Sequence, residues 1–295
     1  MDNIAICADK LTKYYGLVRG IDHLDLEVEA GDFFGFIGPN GAGKSTTIRT
    51  LLGLISPRAG KARVLGMDST KNSKAILERV GYLPSDTVFY TGMKVEEVLK
   101  LSADLRKKNC DARARELCER LQLDTGKRVE NLSYGNRKKV GIVCALQHDP
   151  ELLILDEPTG GLDPLIQHEF FCILQERNRE GTTVFLSSHI MSEIQRHCSR
   201  AAVIRDGKII ACESIEALAK SSARKVTLRG SLKPEDLPEA TEWTEIGDTV
   251  SFLYGGEITN LLQVLAKAEI RDLSIGEPDL EETVLKYYGK DGEQA

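Results

Sequence analysis

The chain has 295 residues, 41% hydrophobic and 28% charged, a composition of ordinary globular proteins that excludes a disordered chain. Its length suits one large domain, or one large and one small. The formal net charge of −6 is local: residues 220–295 hold nine basic and 15 acidic residues while the first 219 balance, so no basic face for nucleic acid is expected.

From the N-terminus, MDNIAICADKLTKYY lacks the basic head and apolar run of a secretory signal. Strands are expected at 4–8, 24–29 and 32–37, and a helix from near Gly43 through Leu54. Further strands at 78–83, 151–155, 182–187 and 201–205 are interleaved with helices at 95–107, 111–121, 134–147 and 164–179. Strands alternating with helices imply an α/β fold with a largely parallel sheet covered on both faces. LLILDEP reads as a central parallel strand ending in acid, and Asp163-Pro164 as a helix start. Residues 86–145 read mostly as helix with charged faces, a helical insert standing on the sheet domain. Beyond 219 a small α+β appendage is expected, with strand-like VTLRG, VSFLYG and IRDLSI, helical NLLQVLAKA and LEETVLKYY, and a loop at SLKPEDLPEA. No stretch approaches the roughly 18 uninterrupted apolar residues of a membrane span, so a soluble, cytoplasmic chain is expected. The seven cysteines are odd in number and form no CxxC pair, which favours reduced thiols over a disulfide scaffold or zinc site.

The strongest chemical signal is Gly38-Pro39-Asn40-Gly41-Ala42-Gly43-Lys44-Ser45-Thr46, which fits G-x-x-x-x-G-K-[ST] between a predicted strand and a predicted helix. Its glycines let backbone N–H groups wrap a phosphate, and the helix N-terminus adds partial positive charge. Lys44 is expected to reach the β- and γ-phosphates, Ser45 to give its hydroxyl to Mg²⁺, and Thr46 to contact the α-phosphate. Asp156, at the end of LLILDEP, would hold Mg²⁺ directly or through water. Glu157 is placed to orient and deprotonate an attacking water. A DE pair after an apolar strand is weak alone and strong beside a phosphate loop. His189 follows the neighbouring strand TTVFLSS, and ligands gather at the carboxyl ends of parallel strands. It could hydrogen-bond the γ-phosphate and hold the water.

These elements in this order resemble the nucleotide-binding subunit of an ATP-binding cassette (ABC) transporter over about residues 4–219, a P-loop NTPase with an antiparallel β subdomain and a helical subdomain. Asn131-Leu132-Ser133-Tyr134-Gly135-Asn136-Arg137 resembles the family signature LSGGQ, with Leu, Ser and the second Gly matching and Tyr134 and Asn136 departing. Signatures of the form LSxGx are similar to those of bacterial drug- and antibiotic-export members. Alone, Ser133 would be a helix cap. The resemblance implies a head-to-tail pair, a homodimer or a pair with another ATP-binding subunit, in which Ser133 and the Gly135 backbone of one subunit face the γ-phosphate held by the other. It implies that Tyr15 stacks on adenine, with Tyr14 as the neighbour that could do so instead, and that the loop Gly161-Leu162-Asp163 links the two sites. It also implies ATP and Mg²⁺ as cofactors, and a separate membrane permease docking on the helical insert. Such a subunit lies on the inner face of the membrane. The family usually places Gln where Ser85 stands here, followed by Asp86, so a bridging water, Asp86 or weaker coupling must replace it. The acidic tail resembles the short tail domain of exporter-type subunits.

Other classes fit less well. DNA-repair relatives need a long coiled coil that the interval from Lys44 to Ser133 cannot hold, and ribosomal ones carry two cassettes. A GTPase would need N-K-x-D, which is absent. A low-turnover regulatory or immunity module is kept open by the altered signature and Ser85. The transported molecule is unreadable, since selectivity lies in the permease.

Overall fold

A computed structural model describes residues 3–219 and 224–276. The chain divides into two compact units between Cys212 and Glu213, earlier than the boundary at 219 expected from composition.

The first unit opens on a long hairpin, β1 (Ile4–Tyr15) and β2 (Val18–Glu29), turning at Gly16, whose φ is 61°. Only its outer ends, 4–8 and 24–29, are legible from alternation. Lys10 and His23 have φ of 45° and 49°, and the register shifts around them break the period of two. β3 (Phe33–Ile37) leads through the glycine loop into α1 (Lys44–Leu51). This helix ends short of the expected Leu54 because Gly53 takes a left-handed φ of 67° just past its end. Next come β4 (Ala59–Val64), β5 (Met67–Asp68), α2 (Ser73–Arg79) and β6 (Val80–Leu83). The helical insert supplies α3 (Val95–Leu105), α4 (Asp111–Arg120) and α5 (Tyr134–Leu146). The unit continues with β7 (Leu152–Asp156), α6 (Pro164–Arg179), β8 (Thr183–Ser188), α7 (Met191–His197), β9 (Arg200–Arg205) and most of β10 (Lys208–Ser214), whose last two residues fall past the division.

Two sheets result. One is antiparallel, in the order β2-β1-β4-β5, and the other has the order β10-β9-β3-β8-β7-β6. Within the second, β3 pairs in parallel with both β8 and β9, and β7 with both β8 and β6. Every residue of β3, β7 and β8 is buried, as expected of parallel strands covered on both faces. Phe185 stacks on Phe34 with centroids 5.9 Å apart and packs tilted against Phe36 at 5.3 Å, and the same cluster takes in Leu24, Leu26 and Val28 of the hairpin. This rigid slab brings the ends of β3, β6, β7 and β8 to one edge, where the loops with chemical signals emerge.

His148, just after α5, is 2% exposed with Nε2 3.3 Å from the carbonyl oxygen of Val80. Burial, helped by the positive charge of Arg106, lowers its pKa to about 4. The unfolded chain therefore binds a proton that the folded chain refuses, and stability present above pH ~6.5 is lost as pH falls toward 4. The expected loss is about 3 kcal/mol. Chemical denaturation of the parent and of His148→Leu at pH 7 and pH 4.5 checks this. The variant should show a shallower decline, and an equal one refutes the assignment.

The second unit holds α8 (Ile215–Ala219), β11 (Arg224–Ser231), β12 (Ala240–Ile246), β13 (Thr249–Tyr254), α9 (Ile258–Leu265) and β14 (Glu269–Gly276). Its antiparallel sheet has the order β12-β13-β11-β14. Val226, Leu228, Phe252, Tyr254, Leu261 and Leu265 form its core, and Trp243 stacks on Phe252 at 4.7 Å. β12 escapes the sequence pattern because its residues are mostly exposed. The expected helix LEETVLKYY lies outside the described residues.

Among the described residues no cysteine forms a disulfide. Among the described residues no helix is long and apolar enough to cross a membrane.

Candidate active site

The loop between β3 and α1 forms because Gly41 and Gly43 take φ of 82° and 109°, which other residues rarely adopt. A Cβ on Gly43 would also collide with the carbonyl oxygen of Gly20 in β2, so the hairpin closes one side of the loop. The first N–H groups of α1 have no partner within the helix and bias the loop toward anions. Lys44 is buried. Its Nζ donates to the carbonyls of Gly38 (2.6 Å) and Pro39 (3.1 Å) and lies 3.1 Å from Glu157 Oε1.

A cleft of about 280 Å³ runs along this loop, lined by Tyr15, Asn40, Gly41, Ser45, Thr46 and Glu157 among others. Ala42, between two lining residues, is buried. Tyr15 is exposed, with Lys13 Nζ 5.4 Å from its ring centroid. Tyr14 is covered by the Arg58 guanidinium at 5.6 Å and does not line the cleft.

β7 delivers the carboxylates. Asp156 pairs with Ser187 of β8, and the Ser187 hydroxyl donates to Asp156 Oδ1 at 2.7 Å. The second oxygen, Oδ2, is buried and has no hydrogen-bond partner. Buried polar atoms are seldom left so, and an orphaned carboxylate oxygen is the ligand a hard cation takes. With the half-buried Ser45 at the start of α1, these residues fit Mg²⁺.

Glu157 leaves the strand in a left-handed conformation, φ 48°, its N–H donating to the Ser187 carbonyl at 3.0 Å. That bend turns the side chain toward the loop. Oε1 meets Lys44, and Oε2 lies 3.2 Å from Nδ1 of His189. A second cavity of about 430 Å³ lies on this side, lined by Ser85, Asp86, Tyr134, Glu157, Gly161 and His189 among others. Glu157 thus borders two cavities, the phosphate-loop cleft and one that reaches His189 and the loop after β6.

Three residues singled out in the sequence stand apart from the Lys44 cleft. Ser133 is exposed and caps α5, its side chain accepting from the N–H of Asn136 at 3.3 Å. Gly135 packs so closely on the Gly161 carbonyl that a Cβ would not fit. Asp163 caps α6, accepting from the N–H of Ile166 at 3.0 Å.

Lys138 was not singled out. It is fully buried on α5, and its Nζ donates to the carbonyls of Pro84 (3.1 Å) and Ser85 (2.7 Å). The signal for it is helical spacing: Lys138, Ile142 and Ala145 share a face, so a cation occupies an apolar position.

Residues 21–160 match the family model described as ABC transporter. The chain is 43% identical to the bacitracin transport ATP-binding protein of Bacillus licheniformis over 204 residues, 68% of this chain and 66% of that protein. It is 34% identical to a probable multidrug ABC transporter ATP-binding protein of Escherichia coli, YbhF, over 73% of this chain and 38% of that one. It is 35% identical to the Nod factor export ATP-binding protein I of Paraburkholderia xenovorans over 86% of this chain and 87% of that protein. The chain therefore spans under two thirds of the first two relatives and most of the third. Among solved structures, that of an ATP binding subunit of an ABC transporter superposes with a TM-score of 0.70 at 28% identity, covering 73% of this chain and 92% of that one.

Proposed function

The chain belongs to the ABC transporter family, as one of its ATP-hydrolysing cassettes, and from that premise we propose that it drives export through a separate membrane permease. The observation that carries the chemical half is Glu157, held between Lys44 and His189 at the mouth of a phosphate loop. The triphosphate of ATP lies along Gly38–Thr46, with adenine against Tyr15. Lys44 exchanges its backbone carbonyls for phosphate oxygens, and Glu157 accepts the proton of the attacking water. His189 holds that water and the γ-phosphate. Mg²⁺, held by Ser45 and Asp156, would supply charge neutralisation on the triphosphate. A dry, preorganised set of charges of this kind stabilises the developing negative charge without reorganising.

Two copies pair head to tail around ATP. Ser133 is exposed at the N-terminus of α5, free to face a partner's γ-phosphate with the partial positive charge of the helix behind it. The Gly161-Leu162-Asp163 loop sits beside Gly135, where it can pass the state of one site to the other.

The export half draws support from the relatives named for bacitracin transport and Nod factor export. On this reading the chain lies on the inner face of the membrane. The helical insert supports a docking role. Val88 and Tyr90 are 88% and 75% exposed, and Val88 and Phe89 line a groove of about 560 Å³ with Glu130 and Arg137. An exposed apolar patch with a polar rim is what a permease helix would cover. Co-expression with a membrane protein encoded by a neighbouring reading frame tests this. The parent should co-purify with it, while Val88→Asp with Tyr90→Asp should detach and still hydrolyse ATP. Retention of that double variant by the membrane protein would sink the docking site. Absence of Mg²⁺-dependent phosphate release by the parent would sink the chemistry.

A further inference from the structure

Lysine is almost never fully buried unless its ammonium is partnered, and Lys138 has 0% exposure. Burial pulls its pKa down to about 8, against the opposing pull of Asp156, Asp86 and Glu157. Its partners are the carbonyls of Pro84 and Ser85, the residues that follow β6. One turn earlier on the same face of α5, the Tyr134 hydroxyl donates to that same Ser85 carbonyl at 3.4 Å. The Tyr134 ring stands against Gly161, whose missing Cβ leaves room for it. The helix that begins at Ser133 is thereby fastened inside its own chain to two loops, one after β6 and one after Glu157. Both loops, with Tyr134, line the cavity that Glu157 and His189 share.

We propose that Lys138 and Tyr134 are positioning residues for hydrolysis: by gripping the Ser85 carbonyl from α5, they tie the helix presenting Ser133 to the wall of the cavity in which Glu157 acts. The inference rests on the function proposed above and deepens it. Ser85 is too short to extend a side chain across that cavity, so the connection runs through its backbone instead. The two departures from the family pattern, Tyr134 and Ser85, then belong to one arrangement. Neither Lys138 nor Tyr134 lines the cleft of the phosphate loop, so loosening them affects the chemical step and leaves ATP binding intact.

Lys138→Met keeps most of the stem and removes the donors, and Tyr134→Phe removes only a hydroxyl. The double variant is expected to keep the KM for ATP within about twofold and to lose about tenfold in kcat. Amides at 85–87 should lose hydrogen-exchange protection while β6 keeps its own. Lys138→Gln, which retains an N–H donor, should recover part of kcat, whereas a purely structural defect would lower the melting temperature and leave Gln no better than Met. A double variant with parental kcat and parental exchange overturns the proposal. Should Lys138→Met fail to fold, Tyr134→Phe alone decides by the same two readouts. If the parent binds ATP without hydrolysing it, the function above falls. The exchange result then stands by itself, and unchanged protection at 85–87 overturns the grip as well.

Discussion

Glu157→Gln is expected to lower ATP turnover by roughly 10²–10⁴-fold, the usual contribution of a positioned general base. Gln keeps the length and the planar head, so the neighbours Lys44 at 3.1 Å and His189 at 3.2 Å still find an oxygen or nitrogen to meet. What is removed is the capacity to take a proton from water. Nucleotide affinity should hold or rise, since the neutral amide no longer competes with phosphate for the Lys44 ammonium. With ATP bound and not consumed, two copies should remain clamped together. Size measurement at saturating ATP should then show a dimer for the variant and a mostly monomeric chain without nucleotide. Steady-state phosphate release at the parental rate would remove Glu157 as the base. A variant that stays monomeric with ATP would count against the head-to-tail pair.

The second large effect is on binding. Lys44→Met keeps a stem of similar bulk in a buried slot and deletes the ammonium that donates to the Gly38 and Pro39 carbonyls. Charge-assisted hydrogen bonds to phosphate contribute about 1.5–3 kcal/mol each. Loss of the contact should weaken ATP roughly a hundredfold, about 3 kcal/mol. Lys44→Arg should not restore it, because a planar fork does not fill the place of a compact ammonium inside a tight backbone loop. Titration with a fluorescent ATP analogue reads both variants, and a Kd within about twofold of the parent for Lys44→Met would refute the assignment. Folding should survive, since the loop is shaped by Gly41 and Gly43 and not by the lysine.

The central slab was legible because its strands are apolar runs bounded by turns, and the phosphate loop because its spacing has one mechanical meaning. Less legible were elements whose patterns are interrupted or exposed. β4 reads AGKARV, with small and charged residues on its open face, and is held by pairing to β1 and not by its own propensity. α2 and α7 span only seven residues each, too short for a helical period to declare itself. The hairpin was half hidden by two left-handed residues, Lys10 and His23. In the site, Asp156 and Glu157 and a separate role for each could be named from their position after a strand, yet not the geometry behind that division. That depends on Ser187 occupying one Asp156 oxygen and on a bend that carries Glu157 to Lys44. Lys138 was hard to read for the opposite reason: a lysine in a helix is ordinarily taken as solvent-facing, and its spacing with Ile142 and Ala145 gains meaning only once α5 is seen packed against β6 with the ammonium on the Pro84 and Ser85 carbonyls.

The left-handed backbone at position 157 has a corollary for the composition of this site. A residue with a Cβ and no local turn bond is disfavoured there by about 1 kcal/mol relative to glycine, and asparagine or glycine would suit the bend better. With Glu157 as the proposed base, folding and chemistry prefer different amino acids at one position. A library of substitutions ranked by thermal tolerance alone would drift toward sturdier proteins that cannot split their nucleotide.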